Sequence, residues 1–226
     1  FGGSSLADAE HFRQVAEIVK SDPDRKYVVA SAPGKRFDGD DKVTDLLYRC
    51  YELAADEKDI TNEFEAIKER YTQIIRDLEL DLDLSEVFEK IRHSFIHNSG
   101  RDYIASRGEY LNAVILAKYL GFQFIDAKKC IFFNDDGHFN ADKTNEVLSG
   151  YLKKHEYAVI PGFYGSMPNG TIKTFSRGGS DITGAIVARA ASASVYENWT
   201  DVSGFLMADP RVIDIPAVIN TITYKE

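Results

Sequence analysis

Apolar residues recur at helical spacing through the first half of the chain. In residues 7–20, Phe12, Val15 and Val19 lie three or four positions apart and predict an amphipathic helix. The same spacing predicts three further helices, over residues 64–78, 87–95 and 103–120. Ser85 is expected to cap the second of these, and Gly121 to end the third. The block from residue 42 to residue 120 therefore reads as a helical lobe.

The second half of the chain alternates between extended and helical segments. Strands are predicted at residues 26–32, 122–126, 157–160 and 194–199, and helices at residues 145–154 and 180–191. Asn169-Gly170 joins two short extended segments and is the best hairpin signal in the chain. Because strands alternate with helices, we expect an α/β fold with a mostly parallel sheet.

Composition narrows the class of protein. The chain has 226 residues, and 27 basic against 36 acidic residues give a net charge of -9. Nucleic acids and membrane surfaces are polyanionic, so neither is an expected partner. The two cysteines form no C-x-x-C pair, and no apolar run is long enough to span a membrane. These features predict a reduced, cytoplasmic protein. The five histidines show no metal-ligand spacing, so we predict no metal site built from protein ligands.

Two glycine turns follow presumed strands. Residues 2–5 (GGSS) precede the first helix, and backbone N–H groups in such a turn suit a phosphate. Residues 31–35 (SAPGK) lie at the carboxyl end of the strand at 26–32, where open α/β sheets bind ligands. Each signal alone is weak, since ordinary tight turns look the same. The first turn matches neither the P-loop pattern nor the dinucleotide fingerprint.

Three polar stretches could carry chemistry. Residues 106–109 (SRGE) place a glycine inside a helix, although Glu109 alone would be interpreted as a solvated surface residue. Residues 175–181 (FSRGGSD) combine a cation, two glycines and two potential helix caps. There Arg177 offers a planar donor fork that matches a carboxylate. Residues 199–204 (WTDVSG) and 208–211 (ADPR) could contact a nucleotide.

Taken in order, these stretches resemble the aspartate kinases. The family pattern F-G-G-[S/T]-S, S-A-x-G, [S/H]-x-G-E, R-G-G-S-D and T-D-V-x-G…D-P-R is matched from Phe1 to Arg211. The resemblance implies an amino-acid kinase fold, which is a three-layer α/β/α sandwich with a helical lobe at about 42–120. It also implies a nucleotide-binding half at about 157–226. The implied reaction is ATP-dependent phosphorylation of L-aspartate to 4-phospho-L-aspartate, toward lysine, threonine and methionine.

The resemblance also implies residue roles. The nucleotide would be bound by Gly2, Gly3, Ser4, Thr200, Asp201 and Arg211. Aspartate would be bound by Thr44, Glu109, Arg177 and Ser180, with Glu109 on the ammonium group and Arg177 on the α-carboxylate. Gly3, Ser180 and Asp181 would act at the transferring phosphoryl group. ATP with Mg²⁺ is the expected cosubstrate, and we expect a homodimer or a higher homo-oligomer.

Two departures from the family pattern matter. The family's phosphate-binding lysine would stand immediately before Phe1, and Leu206 occupies a position where an aromatic residue commonly flanks the nucleotide. We expect the segment to be a piece of a longer polypeptide, truncated at both ends, with C-terminal ACT regulatory domains. The feedback inhibitor does not follow from these residues.

Two alternatives stay open from the sequence. One is another enzyme of the same fold that acts on glutamate, acetylglutamate or a nucleoside monophosphate. The other is a catalytically silent module that senses a nucleotide or an amino acid. Glu109 favours a substrate with a free ammonium group, whereas Arg177, Asp181 and Arg211 favour an active enzyme over a silent one.

Overall fold

A computed structural model describes residues 1–97, 99–176 and 178–200, together with positions 204, 207, 212–213, 217–219 and 221. Within these residues the helices are α1 (Ala9–Lys20), α2 (Val43–Ala55), α3 (Thr61–Asp77), α4 (Ser85–Ile96), α5 (Arg101–Leu120), α6 (Ala141–Leu152) and α7 (Gly179–Ala191). The strands are β1 (Tyr27–Ala30), β2 (Gln123–Phe124), β3 (Ala158–Pro161), β4 (Tyr164–Ser166) and β5 (Ile172–Thr174). Short 3-10 turns lie at Ser4–Leu6 and Ala127–Lys129.

The central sheet is parallel, with the strand order β1-β3-β2. The chain at Phe1 extends it beyond β1, because the Phe1 N–H group donates to the Val29 carbonyl at 2.9 Å. The Phe1 carbonyl in turn accepts from the Ser31 N–H group at 3.3 Å, which completes a parallel pairing. Further out, the Gly2 N–H group donates to the carbonyl of Trp199 at 3.4 Å.

Helices cover both faces of this sheet and make three layers. Val28, Ala30 and Val159 point into a core shared with α1 and α5. Ala158 and Ile160 alternate to the opposite face, into a core shared with α6 and α7. Because successive side chains of a strand point to opposite faces, both cores need apolar strand positions, and β3 is buried throughout. The predicted three-layer α/β/α architecture is confirmed.

Helix α5 joins the sheet to the lobe of α2, α3 and α4. It packs on β1, β2 and β3 and also on α2, α3 and α4. Its buried residues therefore lie all around the helix and include polar ones, among them Arg107, Glu109 and Asn112. The helix ends at Gly121, whose φ of 74° is left-handed, as predicted for a C-cap.

Some local predictions hold and others fail. Asn169 and Gly170 lie in the turn between the antiparallel strands β4 and β5, as predicted. Ser85 does not cap α4; its N–H group instead donates to the Asp83 carboxylate at 2.8 Å. Residues 194–199 form no strand, and Val195 is 68% exposed. Alternating apolar residues form a stable strand only where one face of that strand is buried, and residues 194–198 are exposed.

None of the helices in the described part of the chain is both long enough and apolar enough to cross a lipid bilayer. Both cysteines, Cys50 and Cys130, are buried free thiols.

Replacing Gly165 by alanine should destabilise the fold by about 1–3 kcal/mol, because its Cβ atom would lie 2.6 Å from the Ile131 carbonyl oxygen. The matched control is Gly150→Ala in α6, where a Cβ atom meets nothing within 4 Å. That change should stabilise by about 0.5–1 kcal/mol through helix propensity. Denaturant unfolding measures both, and equal signs for the two variants would contradict the packing of β4.

Candidate active site

Several loops meet at the carboxyl edge of the parallel sheet. The 3-10 turn Ser4–Leu6 follows Phe1 and Gly2, residues 31–34 follow β1, and Gly162 follows β3. A Cβ atom on Gly162 would lie 2.8 Å from the Ser180 Cα atom, so the first turn of α7 reaches the same edge. This edge is where open α/β sheets bind ligands, and it is the candidate active site.

The first two loops touch backbone to backbone. The Gly34 N–H group donates to the Gly3 carbonyl at 2.8 Å, and a Cβ atom on Gly34 would lie 2.8 Å from the Ser4 nitrogen. A Cβ atom on Gly3 would lie 2.8 Å from the Ala32 carbonyl oxygen. Gly3 has a φ of -64°, so this position needs glycine for the close approach and not for a left-handed backbone.

Gly108 lets α5 press against the second loop. A Cβ atom on Gly108 would lie 2.8 Å from the Ala32 Cβ atom and 3.7 Å from a Val43 methyl carbon. The Gly108 carbonyl accepts from the buried Tyr71 hydroxyl at 2.7 Å. Val43 begins α2, and its N–H group donates to the Pro33 carbonyl at 3.2 Å. The first turn of α2, which contains Thr44, therefore lies between the second loop and α5.

Glu109 is a buried carboxylate beside this contact, and not the surface residue that its motif alone suggests. Only 6% of the residue is exposed. Burial raises its pKa to about 7, although the N–H groups of Ala32 and of Glu109 itself and the charge of Arg107 act in the opposite direction. Its Oε2 atom is buried and has no hydrogen-bond partner within the part of the chain that the structure describes. Such an acceptor suits a ligand that brings its own positive donor.

Sequence reasoning missed three residues that shape the same site. Asn112, one turn after Glu109, donates to the Ser31 carbonyl at 2.7 Å, and its own Oδ1 atom is buried with no partner in residues 1–97, 99–176 and 178–200. Arg70 of α3 donates to the Gly34 carbonyl at 2.9 Å. Asp102 accepts from Thr174 at the end of β5. No sequence signal identifies these contacts, because each joins residues 36 or more positions apart.

The start of α7 has no side-chain cap among the described residues. Its N-cap is Gly178, with a left-handed φ of 56°, and not Ser180 or Asp181. Ser180 lies in the first turn, against Gly162. Asp181 is exposed, and its carboxylate accepts from the Asn198 amide at 3.3 Å. The first N–H groups of α7 are thus available to an anion, as helix N-termini commonly are.

The structure brings many of the sequence-predicted site residues to this edge. Gly3 and Ser4 lie against Gly34, and the Ala32 N–H group bonds to Glu109. Thr200 follows Trp199, which bonds to Gly2. Three further predicted residues, Arg177, Asp201 and Arg211, lie outside the described residues, as does Leu206.

Protein ligands for a metal ion do not cluster here. Among the described residues, no group of three or more His, Cys, Asp or Glu side chains could hold an ion. His93 of α4 and His97, which caps the end of that helix, stack with ring centroids 5.7 Å apart.

Comparison with known proteins identifies relatives. The family model described as the amino acid kinase family matches residues 1–226. Aspartokinase 3 of Bacillus subtilis is 35% identical over 243 aligned positions, which cover 100% of this chain and 53% of that protein. The lysine-sensitive aspartokinase 3 of Escherichia coli is 28% identical. The chain spans about half the length of the curated relatives it matches.

Solved structures show the same fold. The aspartate kinase of Clostridium acetobutylicum superposes with a TM-score of 0.95 at 51% identity, covering 100% of this chain and 52% of that one. Aspartokinase III of Escherichia coli, solved in complex with aspartate and ADP, gives a TM-score of 0.82 at 28% identity. That match covers 97% of this chain and 52% of the other.

The raised pKa of Glu109 predicts a pH-dependent stability. The folded-state pKa of about 7 lies above the ordinary 4.5, so folding becomes less favourable as pH rises between these values. Glu109→Gln removes this ionisation. Relative to the parent, the variant should gain on the order of 2–3 kcal/mol in unfolding free energy on going from pH 5 to pH 8. Denaturant unfolding without ligand measures it.

The matched control is Glu89→Gln, an exposed glutamate on α4, whose effect should be nearly equal at the two pH values. If Glu109→Gln behaves like this control, the carboxyl group is not buried as described.

Proposed function

The chain belongs to the amino acid kinase family, and on this premise we propose that it carries the catalytic site of an enzyme that phosphorylates the β-carboxylate of L-aspartate with ATP. The relatives named aspartokinase support this reaction, and so does the Escherichia coli enzyme crystallised with aspartate and ADP. The product would be 4-phospho-L-aspartate. We further propose a cytoplasmic location and a homo-oligomeric assembly of the whole protein.

The observation that carries the proposal is the Oε2 atom of Glu109, which is buried and has no hydrogen-bond partner among the described residues. A substrate ammonium group would supply the missing donor and would favour the ionised form of a carboxyl group whose pKa is raised to about 7. Aspartate brings an ammonium group next to its α-carbon, whereas acetylglutamate does not. An N-acylated substrate would leave Glu109 without a cation, which disfavours acetylglutamate; glutamate, which has an ammonium group, is distinguished from aspartate only by the assay below.

The phosphates of ATP would lie against the turn at Gly2, Gly3 and Ser4. Backbone N–H groups there and at the uncapped start of α7 offer neutral donors and a positive dipole end to an anion. Thr200, Asp201 and Arg211 are proposed nucleotide contacts from their motif. Mg²⁺ bound to the phosphates would neutralise charge that develops during transfer.

The acceptor would be held between α2, α5 and the start of α7. Glu109 would take the ammonium group, Arg177 the α-carboxylate, and Thr44 and Ser180 the rest of the molecule. The β-carboxylate is already ionised at neutral pH, so transfer needs positioning and no general base. Asp181, near Ser180, would orient cationic groups around the moving phosphoryl group, as the family resemblance implies.

The deciding experiment uses the full-length protein with ATP, Mg²⁺ and candidate acceptors. Hydroxylamine traps the acyl phosphate as a hydroxamate, which is measured by its colour with iron. We expect product with L-aspartate and much less with glutamate or N-acetylglutamate. No product with any acceptor, together with measurable binding of ATP or aspartate, would favour the sensing module.

We expect Glu109→Gln to raise the KM for aspartate by about 10- to 150-fold, because a charge-assisted hydrogen bond contributes roughly 1.5–3 kcal/mol. The KM for ATP should change by less than about twofold. Steady-state kinetics measure both constants, with Glu89→Gln as the exposed control. A KM for aspartate that matches the control would remove Glu109 from the substrate site.

We expect Arg177→Ala and Arg177→Lys to weaken aspartate binding by about 2–5 kcal/mol, because lysine keeps the charge but loses the planar fork. ATP affinity, titrated separately, should change little. Arg189, exposed in the last turn of α7, provides the control in Arg189→Lys. Equal losses for both ligands with a lower Tm would instead make Arg177 a structural residue.

A further inference from the structure

We propose that Arg70 is a positioning residue for phosphoryl transfer: it holds the loop between Gly34 and Asp41 closed and thereby fixes the phosphate-side turn relative to the aspartate-side helix α2. Arg70 lies on α3, in the helical lobe. It is not one of the residues proposed to contact ATP or aspartate. The proposal rests on the proposed kinase function.

The guanidinium group of Arg70 donates hydrogen bonds to both ends of this loop. Its Nη1 atom donates to the Gly34 carbonyl at 2.9 Å. Its Nη2 atom donates to the Asp40 carboxylate at 2.7 Å and to the Asp41 carbonyl at 3.2 Å. The Arg70 side chain is only 5% exposed, and that of Asp40 is 8% exposed. The planar guanidinium group of Arg70 thus donates to two backbone carbonyls and a carboxylate, and both charged side chains are buried.

Asp40, which lies within the loop, bonds to both Arg70 and Arg36, and these three residues form a clamp. Its Oδ2 atom also accepts from the backbone N–H group and from Nε of Arg36, at 3.0 and 2.8 Å, and its Oδ1 atom accepts from Nη2 of Arg36. These bonds and the two positive charges hold the pKa of Asp40 well below its usual range. Asp40 therefore stays ionised at neutral pH and keeps two arginines in place.

Each held end leads to one half of the site. The Gly34 N–H group bonds to the Gly3 carbonyl, so fixing Gly34 fixes the turn proposed to hold phosphates. Asp41 is two residues before Val43, where α2 begins and Thr44 follows. The Val43 N–H group bonds back to the Pro33 carbonyl. Arg70 therefore sets the distance between the phosphates of ATP, which the turn at Gly3 binds, and the aspartate, which is bound on the side of α2.

The test uses the full-length enzyme with Arg70→Met, Arg70→Lys and a matched control, Arg49→Met. Arg49 bonds to the Asp41 carboxylate of the same loop, but its side chain is 47% exposed and it contacts neither Gly34 nor the Asp41 carbonyl. In Arg70→Met, Asp40 keeps Arg36 as its cation, so no buried charge loses every partner. Measured quantities are kcat, the KM values for aspartate and ATP, and Tm.

We expect Arg70→Met to lower kcat by about 10²-fold, because in-line transfer is sensitive to ångström misplacement. Both KM values should stay within about threefold, since each half keeps its own contacts. Arg70→Lys should stay nearly as slow, because one ammonium group cannot span the carbonyls of Gly34 and Asp41. Arg49→Met should keep the parental kcat within about twofold. Assays run well below the Tm of each variant.

Other outcomes overturn the proposal. If both Arg70 variants keep the kcat of Arg49→Met while their Tm falls, Arg70 is only structural. If Arg70→Lys restores kcat, charge rather than the paired geometry matters, and the clamp is wrong. If Arg70→Met does not fold, Arg70→Lys carries the comparison. A parent enzyme that phosphorylates no aspartate would overturn the proposed function itself, whereas an active parent with normal Arg70 variants overturns this inference alone.

Discussion

The close approach of two glycine turns, Gly3 on one and Gly34 on the other, sets the geometry of the candidate site. The hydrogen bond between them is 2.8 Å long, and a Cβ atom on either residue would collide with backbone of the opposite turn. Backbone cannot move aside as a flexible side chain can, so both positions are restricted to glycine. The start of α2 is bonded to the second of these turns, because the Val43 N–H group donates to the Pro33 carbonyl.

Helix α5 supplies the rigid element on which that edge is built. It is buried on all sides because the sheet covers one flank and the helical lobe covers the other. Four of its polar residues are therefore buried, namely Ser106, Arg107, Glu109 and Asn112. Asp102 holds the end of β5, and Asn112 holds the Ser31 carbonyl. A rigid, enclosed helix positions such groups more accurately than a loop could.

Glu109 shows how a destabilising burial can serve binding. Desolvation disfavours its ionised form in the free protein, and none of the described residues bonds to its Oε2 atom. In the proposed function, a ligand that carries an ammonium group would relieve both conditions at once, so the free energy stored in the buried acid would contribute to selectivity for that ligand. The same reasoning explains why a lone glutamate in a helix, which is usually solvated, became the most informative residue of the site.

The sequence by itself determined the α/β class, most helices, the hairpin at Asn169 and the ordered glycine motifs, because periodicity and turn chemistry are local properties. It misplaced the cap of α4 and a strand at residues 194–199, since caps depend on which side chain reaches the first N–H groups and strands on a covered face. Only the tertiary structure decided that Glu109 is buried, that Gly3 meets Gly34, and that Arg70 grips both ends of one loop. The contacts of Gly3 with Gly34 and of Arg70 with the loop join residues far apart in the chain, and Glu109 is buried by elements that are also distant in sequence. No local sequence pattern encodes such long-range proximity.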